Sequence, residues 1–115
     1  MYLMIEAWTP KPAWLALSAQ ERAAYVADVG EGVAALAAQG VASLGWGLVD
    51  EASRGTDHVA FAVWETGSRD GCDALRSAIA QAGWYEYFDQ VDFGGEAGPP
   101  DAVLRHHIEL QANAA

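Results

Sequence analysis

Met1-Tyr-Leu-Met-Ile-Glu-Ala-Trp8 decides the reading of this chain, because Leu3, Ile5 and Ala7 alternate there with Tyr2, Met4, Glu6 and Trp8. Period two marks a strand, whose successive side chains point to opposite faces of a sheet. His58–Trp64 repeats the pattern, with Val59, Phe61 and Val63 set against His58, Ala60, Ala62 and Trp64. Val103–Leu110 reads the same way: Leu104, Ile108 and Leu110 oppose Val103, Arg105, His107 and Glu109, with His106 intruding on the apolar side. The expectation is a sheet whose apolar face packs on helices. Its other face then gathers Glu6, Arg105, His107 and Trp64 as the lining of a pocket.

Between these strands the sequence punctuates itself. Thr9-Pro-Lys-Pro-Ala13 reads as a connection, since each proline removes a backbone donor and restricts the residue before it. Ser18-Ala-Gln-Glu21 is a capping box and opens a helix over about 19–39, with Tyr25, Val26, Val29, Val33 and Leu36 at helical spacing and Gly40 as its cap. Gly30 and Gly32 inside that helix cost about 1 kcal/mol each relative to alanine, a cost that close approach to the sheet would explain. Val41–Val49 reads as a strand in which Gly45 and Gly47, around Trp46, point to a bulge or to room for a neighbouring ring. Asp50–Asp57 is the turn into the next strand, at about 58–65. A second helix opens at Ser68 or Asp70, turns Cys72, Leu75, Ala78, Ile79 and Ala82 to one side, and ends at Gly83. Trp84–Phe93 is too aromatic for a solvated loop and is expected to fold against the domain or a partner subunit. Gly94–Pro100 reads as a loop, and the strand at 103–110 precedes a short Ala/Asn tail.

The resulting order is strand, helix, strand, strand, helix, strand. That is the split βαβ pattern of an α+β ferredoxin-like fold, with one antiparallel sheet and both helices on one face. The first strand is expected inside the sheet, between the third and the last. A length of 115 residues accommodates one domain, with its core over about 2–110. The uncovered face is too apolar for water, and a second copy of the chain covers it economically, so a homodimer is expected.

Composition narrows the function. A formal net charge of -10 opposes any phosphate backbone or anionic bilayer, so neither nucleic acid nor a membrane is an expected partner. Cys72 is the single cysteine and falls on an apolar helix face, which makes it an inert buried thiol. The amino terminus enters a strand with no leader pattern, and no apolar run is long enough for a membrane span, so a cytoplasmic protein is expected. There is no G-x-G-x-x-G, phosphate loop, C-x-x-C or G-x-S-x-G, which leaves nucleotide cofactors, structural zinc and a serine-hydrolase mechanism without residues.

The order and face patterning of about residues 2–110 resemble the dimeric α/β-barrel superfamily, which includes antibiotic-biosynthesis monooxygenases, polyketide cyclases, muconolactone isomerases and chlorite dismutase-like haem proteins. Tyr2–Ser18, with Trp8-Thr-Pro-Lys-Pro-Ala-Trp14-Leu-Ala-Leu-Ser18, also looks like a small uncharacterised bacterial family, which implies no activity. The superfamily resemblance implies a dimeric barrel and proton transfer or oxygenation on a hydrophobic, aromatic or polyketide-like small molecule. It transfers no catalytic residues.

The residues themselves supply candidates. Glu6, desolvated among Met4, Trp8 and Trp64, would act as a general base; the competing reading is an inert ion pair with Arg105. His107 or Arg105 would stabilise a developing oxyanion, against a reading of His107 as a strand-end residue satisfied by a carboxylate or carbonyl. Met4, Trp8, Trp46, Trp64 and Tyr87, with Trp84 and Tyr85, would hold an apolar ligand or else fill the core and a subunit interface. The leading reading needs no cofactor and no metal. Its competitors are a non-catalytic ligand-binding or dimerisation module and a haem protein with His107 or His106 as axial ligand.

Overall fold

The computed structural model describes residues 1–111, and the Ala/Asn tail lies outside them from 112 onward. Strand β1 (Tyr2–Pro10) is followed by a single helical turn α1 (Pro12–Leu15) and the long helix α2 (Ala19–Ala38). Then come β2 (Ala42–Leu48), β3 (Ala60–Thr66), α3 (Arg69–Gln81), the turn α4 (Trp84–Tyr87), β4 (Phe88–Glu96) and α5 (Pro100–Glu109). The four strands form one open antiparallel sheet in the order β2-β3-β1-β4, so β1 is interior, between the third strand and the last as expected. The fold class is α+β. Among the described residues no helix is long and apolar enough to cross a membrane.

Local chemistry explains most boundaries. Pro10 ends β1 and Pro12 takes the first position of α1, where its missing donor is harmless. The capping box forms as read: the Glu21 amide donates to Ser18 Oγ at 3.1 Å, and the Ser18 amide donates to Glu21 Oε1 at 2.9 Å. Gly40 closes α2 at φ 84°, a left-handed conformation that glycine adopts without strain. β2 shifts register between Ser43 and Gly45, and a Cβ on Gly47 would lie 2.8 Å from the Phe61 ring, so this glycine does make room for an aromatic neighbour. On α3, Cys72 and Leu75 are buried as their spacing requires.

Three expectations fail. Val103–Leu110 is not a strand: it lies in α5, whose residues are all exposed. The segment fits a helical stripe of Val103, Leu104, His107 and Ile108 as well as it fits an alternation, and Pro99-Pro100 directly before it favours a helix start. The last strand is instead the aromatic segment and its glycines, Phe88–Glu96, where Asp89, Val91 and Phe93 alternate with Phe88, Gln90 and Asp92.

The sheet faces are also exchanged relative to the reading. Met4, Glu6, Trp8, Ala62, Trp64 and Phe88 are the buried set, packed toward α2, α3 and α4, while Leu3, Ile5, Ala7, Phe61 and Val63 look out on the other side. The covered side takes the largest rings, Trp64 and Trp8, together with Met4, so that α2, α3 and α4 remove these from water.

Finally, Gly30 and Gly32 do not mark a close helix–sheet approach, since a Cβ at either would meet nothing within 4 Å. Helix α2 stands off the sheet and buries none of its residues fully. The radius of gyration is 16.8 Å, against about 13 Å for a compact domain of this length, and the wholly exposed α5 adds to that extension.

These glycines give a paired test. Gly94→Ala forces a Cβ to 2.6 Å from the Leu3 carbonyl oxygen in the β1–β4 ladder and is expected to destabilise by about 1–3 kcal/mol. Gly30→Ala enters open space in a helix interior and is expected to stabilise by about 0.5–1 kcal/mol. Urea unfolding of the two variants measures both, and equal effects would contradict the packing described here.

Candidate functional site

Glu6 stands at the centre of the site because the central strand carries it onto the helix-covered face, opposite Ala62 on β3 and Asp92 on β4. It is only 3% exposed. A carboxylate so placed needs donors, and two neighbours supply them: Trp64 Nε1 donates to Oε1 at 2.9 Å and Gln90 Nε2 donates to Oε2 at 2.9 Å. The Gln90 amide cannot turn round, since Trp84 Nε1, a donor only, reaches its Oε1 at 2.8 Å and fixes the NH2 group toward Glu6. Each carboxylate oxygen therefore faces one obligate donor.

Among the described residues no cation sits on Glu6. Arg105, proposed as its ion-pair partner, is on exposed α5, while Arg76 of α3 donates from Nε to Asp92 Oδ1 at 3.1 Å and lies 3.8 Å from Asp73. Burial is the main reason that the Glu6 carboxyl sits above the ordinary glutamate range, with the nearby Asp92 charge adding to it. The bonds from Trp64 and Gln90 pull the other way and only partly offset it.

Above Glu6, between the sheet and the two long helices, lies a cavity of about 250 Å³. Its walls are apolar: Trp64 from β3, Trp46 from β2, Trp84, Leu75 and Ile79 from the α3–α4 side, and Val29, Val33 and Leu36 from α2. The space exists because α2 stands off the sheet and presents Gly32 to it. Tyr25 braces the arrangement, its hydroxyl donating to the Ala82 carbonyl at 2.8 Å and its ring meeting Tyr87 edge-on at 5.1 Å. Partial burial raises the Tyr25 phenol above its ordinary value. Glu6, Asp28 and Tyr25 are the titratable groups on the lining, which includes no Lys, Arg or His.

The structure thus brings Glu6, Trp46 and Trp64 together, as the sequence reading required. Trp8 stands behind them, edge-on to Trp46 at 5.7 Å and to Trp84 at 5.4 Å, while Met4 is fully buried core. Tyr87 belongs to a neighbouring aromatic group with Trp14 and Tyr25. Arg105, His106 and His107 are the corrections: all three ride on α5 and none lines the cavity, so neither the oxyanion role nor an axial-ligand role survives at this site. The histidine rings lie 6.0 Å from each other in the open. His58 lies just before β3, its Nδ1 3.0 Å from Thr9 Oγ1. Among the described residues no group of three or more His, Cys, Asp or Glu is arranged to hold a metal ion. Gln90 and Asp92 were missed, although the alternation of Phe88–Asp92, read as a strand beside β1, would have set both on the Glu6 face.

Fold and cavity define a small α+β protein with a helix-roofed apolar pocket over one face of an open antiparallel sheet and a buried carboxylate at its floor. The chain belongs to a family of unknown function, DUF6616, whose model matches residues 1–110. No curated protein matches the chain.

The raised Glu6 carboxyl has a signed consequence. The folded protein holds this proton more tightly than the unfolded chain does, so Glu6 favours folding at acid pH and withdraws that contribution as pH rises through the raised value. The stability of the wild type relative to Glu6→Gln is therefore expected to fall from acid to neutral pH, measured by urea unfolding across a pH series. A flat difference would show that burial does not perturb this group.

Proposed function

We propose that the cavity above Glu6 binds a compact hydrophobic, aromatic small molecule, and that Glu6 moves a proton to or from it without a cofactor, as in an isomerase or cyclase. One observation carries this: a carboxylate buried to 3% exposure, held by donors that cannot accept, on the wall of an apolar space. Burial makes such a group a better base than a solvated carboxylate, and the two hydrogen bonds hold it in one orientation. The volume lies just under the range of about 300–1,000 Å³ usual for drug-sized ligands, which favours a small substrate. Oxygenation is the other chemistry compatible with the reading, a deprotonated electron-rich substrate itself giving electrons to dioxygen.

The reading places the chain with the ferredoxin-like dimeric α/β-barrel proteins, and a specific observation favours the pairing this entails. The sheet face away from the helices is bare and apolar, with Phe93 64% and Val91 50% exposed beside Ile5 and Phe61. Helix α5 exposes Val103, Leu104 and Ile108 as well, and ten helical residues without tertiary packing are marginal in water. Both surfaces find their partner in a second copy, in which bare faces meet across a two-fold axis.

Two experiments test these proposals. Gly32→Leu fills the cavity from α2 and is expected to abolish uptake of small aromatic molecules, followed by tryptophan fluorescence, while circular dichroism stays native; unchanged uptake would sink the pocket reading. Sedimentation velocity is expected to give a dimer that tightens with added salt, since two copies of charge -10 repel each other. Phe93→Glu should yield a folded monomer, and a wild-type monomer at all concentrations would refute the pairing.

A further inference from the structure

The cavity walls have an electrostatic character that goes beyond a hydrophobic pocket. Trp46, Trp64 and Trp84 surround the space, Glu6 lies at its floor, and Asp28 stands at the exposed rim on α2. Aromatic faces carry negative potential, so a ring that turns its face to the space adds to the carboxylates in the same sense. Nothing on the lining offsets them. The Arg76 guanidinium is engaged by Asp92 and Asp73, and the indole donors of Trp64 and Trp84 are already committed to Glu6 and Gln90.

An anion, or a neutral molecule that becomes an anion during reaction, would meet carboxylates and no cationic side chain on the lining, with only the Trp46 indole as an uncommitted side-chain donor among the described residues. A cation would meet a buried carboxylate with unused lone pairs and several rings. We infer that the ligand of this cavity is a compact organic cation, an amine or quaternary ammonium with an apolar body, its charge against Glu6 and its carbon skeleton against the tryptophans.

The inference rests on the reading of the cavity as a ligand site and names the ligand class. It also removes a difficulty left by the loss of Arg105 and His107 from the site. A proton passing from a protonated amine to the Glu6 carboxylate leaves a neutral amine and a carboxylic acid, so no oxyanion has to be stabilised; a quaternary ammonium, with no proton on nitrogen, would bind without this step. The net charge of -10 raises the local concentration of such ligands in addition.

The test uses two probes of one shape, benzyltrimethylammonium and neopentylbenzene, which differ by a charged nitrogen in place of a carbon. Binding is followed by tryptophan fluorescence in the wild type and in Glu6→Gln, with circular dichroism reporting the fold. The expected result is a preference for the cation of about tenfold or more in the wild type, lost in Glu6→Gln while binding of neopentylbenzene is retained. Equal or tighter binding of neopentylbenzene by the wild type overturns the cation assignment and leaves the cavity reading standing. Binding of neither probe overturns both. A cation preference that survives in folded Glu6→Gln overturns the role given to Glu6; should that variant fail to fold, the wild-type comparison alone decides.

Discussion

The hydrogen bonds that let Glu6 stay buried constrain the rest of the structure. Trp64 reaches one carboxylate oxygen from β3 and Gln90 reaches the other from β4, so the satisfied carboxylate needs both neighbours of β1 in register. Gln90 is in turn oriented by Trp84, which fixes the turn between α3 and β4. Three strands distant in sequence thus meet at one ionisable group. Loss of any donor would leave a buried acceptor unsatisfied, which costs about 1–3 kcal/mol and more when the group is charged.

The same network separates two kinds of aromatic residue. Trp8, Trp84 and Phe88 are packed among themselves, with Trp84 stacked on Phe88 at 4.0 Å, and they form the wall on which the polar groups are mounted. Trp46 is nearly half exposed and meets Trp64 edge-on at 5.6 Å, which keeps one ring at the edge of the space while the other is sealed beneath it. Helix α2 contributes apolar side chains to this space without closing it. Its capping box, its brace through Tyr25 and its left-handed glycine hold it at both ends, so the middle can remain clear of the sheet.

How much of this the sequence discloses depends on which physical rule has a single solution. The capping box at Ser18–Glu21 and the alternation in Tyr2–Trp8 each admit one structure, and both appear as read. Val103–Leu110 satisfies period two and a helical stripe equally, and only the preceding prolines separate them. Phe88–Glu96 alternates only over Gln90–Phe93, and its aromatic content and paired glycines disguise a strand as packing and loop. Period two establishes that a strand has two faces without saying which one is covered, and here the covered one carries Met4, Trp8 and Trp64. Glu6, Trp46 and Trp64 were legible because they lie on correctly read strands. Gln90 and Asp92 were hidden, and Arg105 and His107 misplaced, because the fourth strand was assigned to the wrong segment.

The cavity itself is the remaining argument for function. Gly32 weakens α2 by about 1 kcal/mol relative to alanine, and the space beside it is large enough for a side chain that would bury apolar surface. A larger residue there would improve both helix propensity and packing, so the chain forgoes stability twice at one position. Burial of Glu6 without a cation on it is a third departure from what stability alone favours, on the wall of the same space. Departures from local consistency that converge on one volume are characteristic of a site kept open for a ligand. Nothing comparable is needed to explain the bare sheet face, whose apolar residues are accounted for once another surface covers them.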